Sequence, residues 1–89
     1  MKAWLIEGVE ILTQKIKQDE NFNIGKNIRE IRMARGLGQT ELVRLLNLNG
    51  TIITREGLVK IERGEQHIHV QQLKAIKSQL RTSYEELFK

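Results

Sequence analysis

From Ile24 onward, apolar residues return every three or four positions in short runs, and each run ends at a glycine or a polar turn. That interval is the helical repeat, and it leaves little room for any other local structure. Ile24, Ile28, Ile31 and Leu37 share one face. A second run, "QTELVRLLNL" over residues 39–48, carries Leu42, Leu45, Leu46 and Leu48. Leu58 and Ile61 form a third pair, and Val70, Leu73, Ile76 and Leu80 a fourth stripe. A last short helix, "YEELF", follows Ser83, and Glu86 three residues on completes a capping-box pattern. Gly36, Asn49-Gly50, Gly64 and "EQHIH" punctuate the runs. No strand alternation, repeat or low-complexity tract competes, so the reading is all-α with five short helices.

One further stripe precedes them. In residues 2–18, Leu5, Val9, Leu12 and Ile16 fall on one helical face, with Trp4 and Ile11 beside it, and "DENFN" then breaks the pattern. The chain divides into an N-terminal amphipathic helix and hinge, 1–23, and a domain, 24–89.

Size and composition narrow the function. The 89 residues suit one small domain, and 39% apolar content with few aromatics and no Pro gives a thin core of Ile, Leu and Val. A deep catalytic cleft is not expected, and no acid–base pair, nucleophile–base pair or phosphate-cradling glycine loop is present, so the chain does not read as an enzyme. Cysteine is absent, which excludes disulfides and thiolate metal sites. His67 and His69 are too few for a metal centre, and no cofactor is implied. Glu7 and Glu10 interrupt the first apolar run and no stretch nears the ~20 residues of a membrane span. A soluble, cytoplasmic protein without a membrane partner is expected. The net charge of +4 is uneven: residues 1–23 carry −1 and residues 24–89 carry +5. The basic excess points to a polyanionic partner.

The segment "TREGLVKIERG", Thr54 to Gly64, is the one that asks for a function. Thr54 is a good N-cap, Leu58 and Ile61 face inward, and Gly64 closes the helix. Yet the helix is shorter than the ~12–15 residues that hold together alone, and the interior Gly57 costs it roughly 1 kcal/mol. Arg55, Glu56 and Lys60 stand on its outer side around what reads as a bare backbone patch at Gly57. Just before it, Ile52 and Ile53 are expected to fold back onto the core.

Taken together, "IREIRMARGLGQTELVRLL", "ITREGLVKIERG" and "LKAIKSQLRTSYEELF" resemble the phage-repressor helix-turn-helix family, the Xre/Cro-like group, over about residues 24–88. The resemblance implies a five-helix, lambda-repressor-like domain whose second and third helices form the helix-turn-helix. The third, over 54–63, would read the DNA major groove. It implies base contacts from Thr54, Arg55, Glu56 and Gly57, with Lys60 one turn on and Val59 at the edge. Arg55 suits a guanine edge. Glu56 suits a cytosine amino group or, alternatively, an i,i+4 pair with Lys60. Gly57 either lets backbone approach a base or is a tolerated surface residue. Gln39 and Arg63 match phosphate-contacting positions, and Arg44, Arg29 and Lys26 would extend a basic rim. Arg32 and Glu62 match a partly buried ion pair between the first and third helices.

Two departures stand out. The connection between the second and third helices is longer than the family's tight turn, the surplus lying at Asn49–Ile52, as in a subgroup with "L-x-G-x-x-I-[ST]-R". Asn49 and Thr51 are thereby brought into reach of phosphates. Gly38 stands where a capping Ser, Thr or Asn is usual. The resulting expectation is a sequence-specific regulator of transcription, a repressor acting as a homodimer on double-stranded DNA. Glu41 would be the surface acid for an activator instead. The alternative is a protein-interaction module, antitoxin-like or an adaptor, working through residues 2–18. That stripe has three possible partners: its own domain, a second copy, or another protein. His67 would touch a phosphate or a partner subunit.

Overall fold

The computed structural model describes residues 23–89, and the amphipathic helix expected over 2–18 lies outside them. Five helices follow in order: α1 Ile24–Ala34, α2 Gln39–Leu48, α3 Arg55–Glu62, α4 Val70–Leu80 and α5 Tyr84–Phe88. Among the described residues there is no strand.

Each helix is bounded by local chemistry. The backbone N–H of Gly38 donates to Glu41 Oε1 at 2.8 Å, so α2 starts on a side-chain acceptor although its cap residue has none to offer. Glu41, held for an outside partner in the sequence reading, is thus tied into its own helix start. At α4, the N–H of His69 donates to Gln72 Oε1 in the same way. Ser83 Oγ accepts from the N–H of Glu86, but the Glu86 carboxylate pairs with Lys89 at 3.3 Å, so only half of that capping box forms. Gly36 at φ +73° ends the first helix in the left-handed region. In the Asn49-Gly50 turn only Gly50, at φ +91°, takes a positive φ. The end of α4 has no glycine: Arg81 itself is left-handed, and Arg35 from α1 donates to the carbonyls of Leu80 and Arg81 at 2.8 and 3.1 Å. Carbonyls that a helix end leaves without partners are satisfied by that guanidinium.

The core joins all five helices. Ile24 and Ile28 of α1, Leu42 and Leu46 of α2, and Leu58 and Ile61 of α3 are fully buried. So are Ile68, Leu73, Ile76, Leu80 and Leu87 from the second half. Asn27, buried on α1, donates from Nδ2 to the carbonyls of Leu87 and Lys89, which fastens α5. Gly25 lies against the backbone of Ile61 and Glu62, where a Cβ would overlap their carbonyl oxygens. This bare position lets α1 sit directly on the C-terminal end of α3.

Two apolar expectations are corrected. Leu48 is 72% exposed, because it lies two residues beyond Leu46 and so about 200° around the helix. Ile52 is 79% exposed while Ile53 is 6% exposed. In an extended connection, neighbouring side chains point to opposite sides, and only one of the pair can face inward. Asn47 Oδ1 accepts from the N–H of Ile53 at 3.0 Å and fixes which one does.

Candidate nucleic-acid interface

The chemistry of the surface centres on α3. Thr54 is extended, at φ −94° and ψ 160°, and its Oγ1 accepts from the N–H of Gly57 at 2.9 Å. One face of the helix is spent on the core through Leu58 and Ile61. Along the other, Arg55, Glu56, Lys60 and Arg63 are exposed and Val59 is half-buried. None of these four charged side chains makes an ion pair or a side-chain hydrogen bond among the described residues. The Glu56–Lys60 pair weighed from the sequence is absent, so both groups remain available to a ligand.

Gly57 is not the bare outer patch that the sequence suggests. It is buried, and a Cβ there would meet Thr54 Oγ1 at 3.1 Å and Ile53 Cγ1 at 3.6 Å. A Cβ there would crowd the Thr54 Oγ1 that caps the helix and would meet Ile53 only at ordinary contact distance, so the missing side chain leaves room for the cap.

The pose of α3 is set from its C-terminal end. Arg32 Nε lies 2.7 Å from Glu62 Oε2 and Nη2 lies 3.0 Å from Oε1, a two-point contact with side chains only 8% and 2% exposed. The remaining Arg32 nitrogen, Nη1, donates to the carbonyl of Leu37. Gln39 Nε2 donates to Glu62 Oε1 at 3.0 Å, so the start of α2 is tied to the same carboxylate. Both charges are thereby compensated and hydrogen-bonded, the condition for burying them tolerably. Gln39, read as a phosphate contact, is half-buried and has its amide N–H committed to this network.

Beside the network, Arg29, Gln39, Arg55, Val59, Glu62 and Arg63 line one open depression. Its single acid is Glu62, both of whose oxygens are already engaged. The opening therefore presents three guanidiniums from two helices, α1 and α3 with its following turn. A guanidinium fork matches phosphate and guanine edges in a way a lysine cannot. On the other flank of α3, Ile52, Thr54, Glu56, Lys60, Gln66 and Gln72 border a second depression. The reading helix thus has a cationic side and a mixed polar side.

The outlying candidates fall as follows. Arg44 on α2 and Lys26 on α1 are exposed and unpaired. Asn49 donates from Nδ2 to the carbonyl of Leu45, capping α2, and Thr51 is half-buried with its N–H on Leu46 O. His67 and His69 are both exposed, and no three His, Cys, Asp or Glu among the described residues gather to hold a metal. Sequence reasoning passed over Gln66 and Gln72, which border the mixed side from the "EQHIH" loop and α4, and treated Arg29 as a rim residue. Only the fold places them beside α3. A signal existed for Gly25: a glycine one residue inside a helix start invites the question of what approaches it.

A bundle of five short helices, with α2 and α3 packed together across their connection and the outer side of α3 exposed, is a helix-turn-helix fold. The chain is similar to the crystal structure of the restriction-modification controller protein C.AhdI from Aeromonas hydrophila. The TM-score is 0.66 at 26% identity, covering 78% of this chain and 97% of that one. The likeness is to a controller protein and not to an enzyme. No protein-family model and no curated protein sequence matches the chain. Among the described residues, no helix is long and apolar enough to cross a membrane.

Proposed function

We propose that this chain is a sequence-specific, double-stranded DNA-binding regulator of transcription that reads the major groove with α3. The observation that carries the reading is the division of labour on α3. Its buried face is clamped by the core and by the Arg32–Glu62–Gln39 network. Its outer side chains, Arg55, Glu56, Lys60 and Arg63, stay free of internal partners. The major groove admits one helix, and side chains near that helix's N-terminus meet the base edges. Arg55 is the guanine reader, Glu56 the cytosine reader, Lys60 a second base contact, and Val59 a methyl contact at the edge. Arg63, Arg29 and Arg44 meet phosphates, as does the α2 N-terminus that starts at Gln39, since the first turn of a helix offers backbone N–H groups to anions. Asn49 and Thr51 lie in the connection that follows α2 and extend this backbone contact.

A regulatory role is supported by the likeness to a restriction-modification controller protein. The active form is a homodimer on a two-fold site, because one such domain touches too few bases. Half-sites then lie about one helical turn, ~10 base pairs, apart. Repression by occluding a promoter is the mode we propose, in the cytoplasm where that DNA is met.

Selection from a random duplex pool at moderate salt, followed by sequencing, tests the reading. An enriched two-fold motif is expected, with affinity falling steeply as salt rises. Arg55→Ala should relax preference at one base position, costing ~1–3 kcal/mol on the selected site. Arg63→Ala should weaken all duplexes alike and lower the salt slope by about 1. Failure to enrich any motif, or identical effects of the two variants, overturns it.

A further inference from the structure

The long connection between α2 and α3 holds one side chain that the fold does not use. Ile52 is 79% exposed, the most open of the large apolar residues described. It borders the depression on the mixed flank of α3, together with Thr54, Glu56, Lys60 and Gln66. An apolar side chain in that company has one chemical match in the major groove. The C5-methyl of thymine is the apolar group that a base edge presents there. We infer that Ile52 packs on a thymine methyl beside the bases met by α3 and sets preference at one further position of the site. The inference rests on the groove reading proposed above and adds to it a contact from outside the helix.

Three observations carry it. The first is placement, since Ile52 shares one depression with the outer residues Glu56 and Lys60 of the reading helix. The second is rigidity. The N–H of Thr51 donates to the Leu46 carbonyl at 2.9 Å, and that of Ile53 donates to Asn47 Oδ1 at 3.0 Å. Ile53 is buried at 6% exposure, and Thr54 caps the helix through its Oγ1. Ile52 is thus held between anchored neighbours on both sides, which fixes its outward direction. Its branched Cβ restricts χ1 as well, so little freedom remains to be lost on binding. The third is the division of charge between the flanks. The guanidiniums of Arg29, Arg55 and Arg63 gather around the other depression. The flank that holds Ile52 sets one acid, Glu56, against one base, Lys60, beside the amides of Gln66 and Gln72. Phosphates suit the cationic flank, which leaves the neutral flank to base edges. On that side, the exposed apolar area of Ile52 gains by leaving water against a methyl.

The test uses the full chain and the duplex recovered by selection. Each thymine is replaced in turn by deoxyuridine, which keeps the base pair and removes only the methyl. Loss of one buried methyl corresponds to about fourfold in affinity, and that loss is expected at a thymine beside the α3 contacts. In Ile52→Ser the same replacement should change affinity by less than about twofold. A thymine read by Val59 keeps its sensitivity in Ile52→Ser, so the two methyl contacts are told apart. With a G·C pair put at the same place, 5-methylcytosine should bind the native chain about fourfold tighter than cytosine, and Ile52→Ser should not distinguish them. Circular dichroism checks that Ile52→Ser is folded. A selected motif in which no thymine loses its sensitivity in Ile52→Ser overturns the inference and leaves the reading by α3 standing. So does equal weakening of every duplex by Ile52→Ser, which gives the side chain to the sugar–phosphate backbone. Loss of a dimer by light scattering in Ile52→Ser also overturns it, and gives the side chain to a second copy. Failure to enrich any motif is the separate failure of the groove reading, and this contact falls with it.

Discussion

Cutting one side of the Arg32–Glu62 contact should damage the fold far more than removing both. In Glu62→Ala, the Arg32 guanidinium, 8% exposed, loses two of its three acceptors and keeps only the Leu37 carbonyl. Gln39 loses its acceptor at the same stroke. In Arg32→Met, a carboxylate 2% exposed is left with the Gln39 amide alone. Breaking a buried pair from one side costs ~3–5 kcal/mol, whereas apolar replacement of both partners is often neutral. The double variant Arg32→Met/Glu62→Leu should therefore lose no more than ~1–2 kcal/mol, mostly from Gln39 and the Leu37 carbonyl, each worth ~1 kcal/mol. Urea unfolding of the full chain followed by circular dichroism gives the numbers. With a slope of ~1 kcal/mol per molar for a domain this small, each single variant moves the midpoint down by ~3–5 M and the double by ~1–2 M. The coupling between the two substitutions is then at least ~4 kcal/mol, well beyond what independent sites show. A double variant that loses the sum of the singles, or singles that lose less than ~1 kcal/mol, would refute the claim that this contact is buried, bidentate and responsible for holding α3.

Two further outcomes can be read from the same unfolding curves. Ile53→Ala should cost ~2–4 kcal/mol by opening a cavity beneath α3, while Ile52→Ser, on its 79% exposed neighbour, should stay within ~0.5 kcal/mol; equal losses would contradict the inward–outward assignment. Gly25→Ala should cost ~2 kcal/mol or more, because the new methyl meets the backbone of Ile61 and Glu62. A neutral result would mean that α1 and α3 are not in close contact.

How much of this was legible beforehand depends on what each residue answers to. The buried stripes of α1, α3 and α4 show in the spacing of Ile24, Ile28, Leu58, Ile61, Leu73 and Ile76, because helical periodicity and burial are the same fact seen twice. The bounds of α2, Gln39–Leu48, sit between Gly38 and the Asn49-Gly50 turn, both visible as punctuation. Ile52 and Ile53 were not separable, since either could face inward until the Asn47 hydrogen bond selected one. Gly57 misled for a similar reason: a glycine on a short exposed helix reads as bare surface unless Thr54 and Ile53 are known to lean over it. Gln66 and Gln72 come from two elements and meet α3 only through the turn at Gly64, so no spacing announces them. Short-range order is written in periodicity, and the composition of the site is written in how chain segments return to one another.

The weakness of α3 has a consequence for how its two roles separate. At eight residues it lies below the length at which a helix persists alone. What keeps it formed is Leu58, Ile61 and Ile53 on the core side, the Thr54 cap at one end, and Glu62 with Gly25 at the other. Arg55, Glu56 and Lys60 contribute no internal contact to that set. Stability and recognition therefore reside in different side chains of the same two turns. Replacing Arg55, Glu56 or Lys60 by Ala should leave unfolding free energy within ~0.5 kcal/mol, since each is an exposed side chain whose loss removes neither the Thr54 cap bond nor a core contact. The same three variants should each alter the duplexes recovered in selection. Loss of more than ~1 kcal/mol from any of them would show that the outer face also holds the helix, and changes in duplex preference could then no longer be credited to base contact alone.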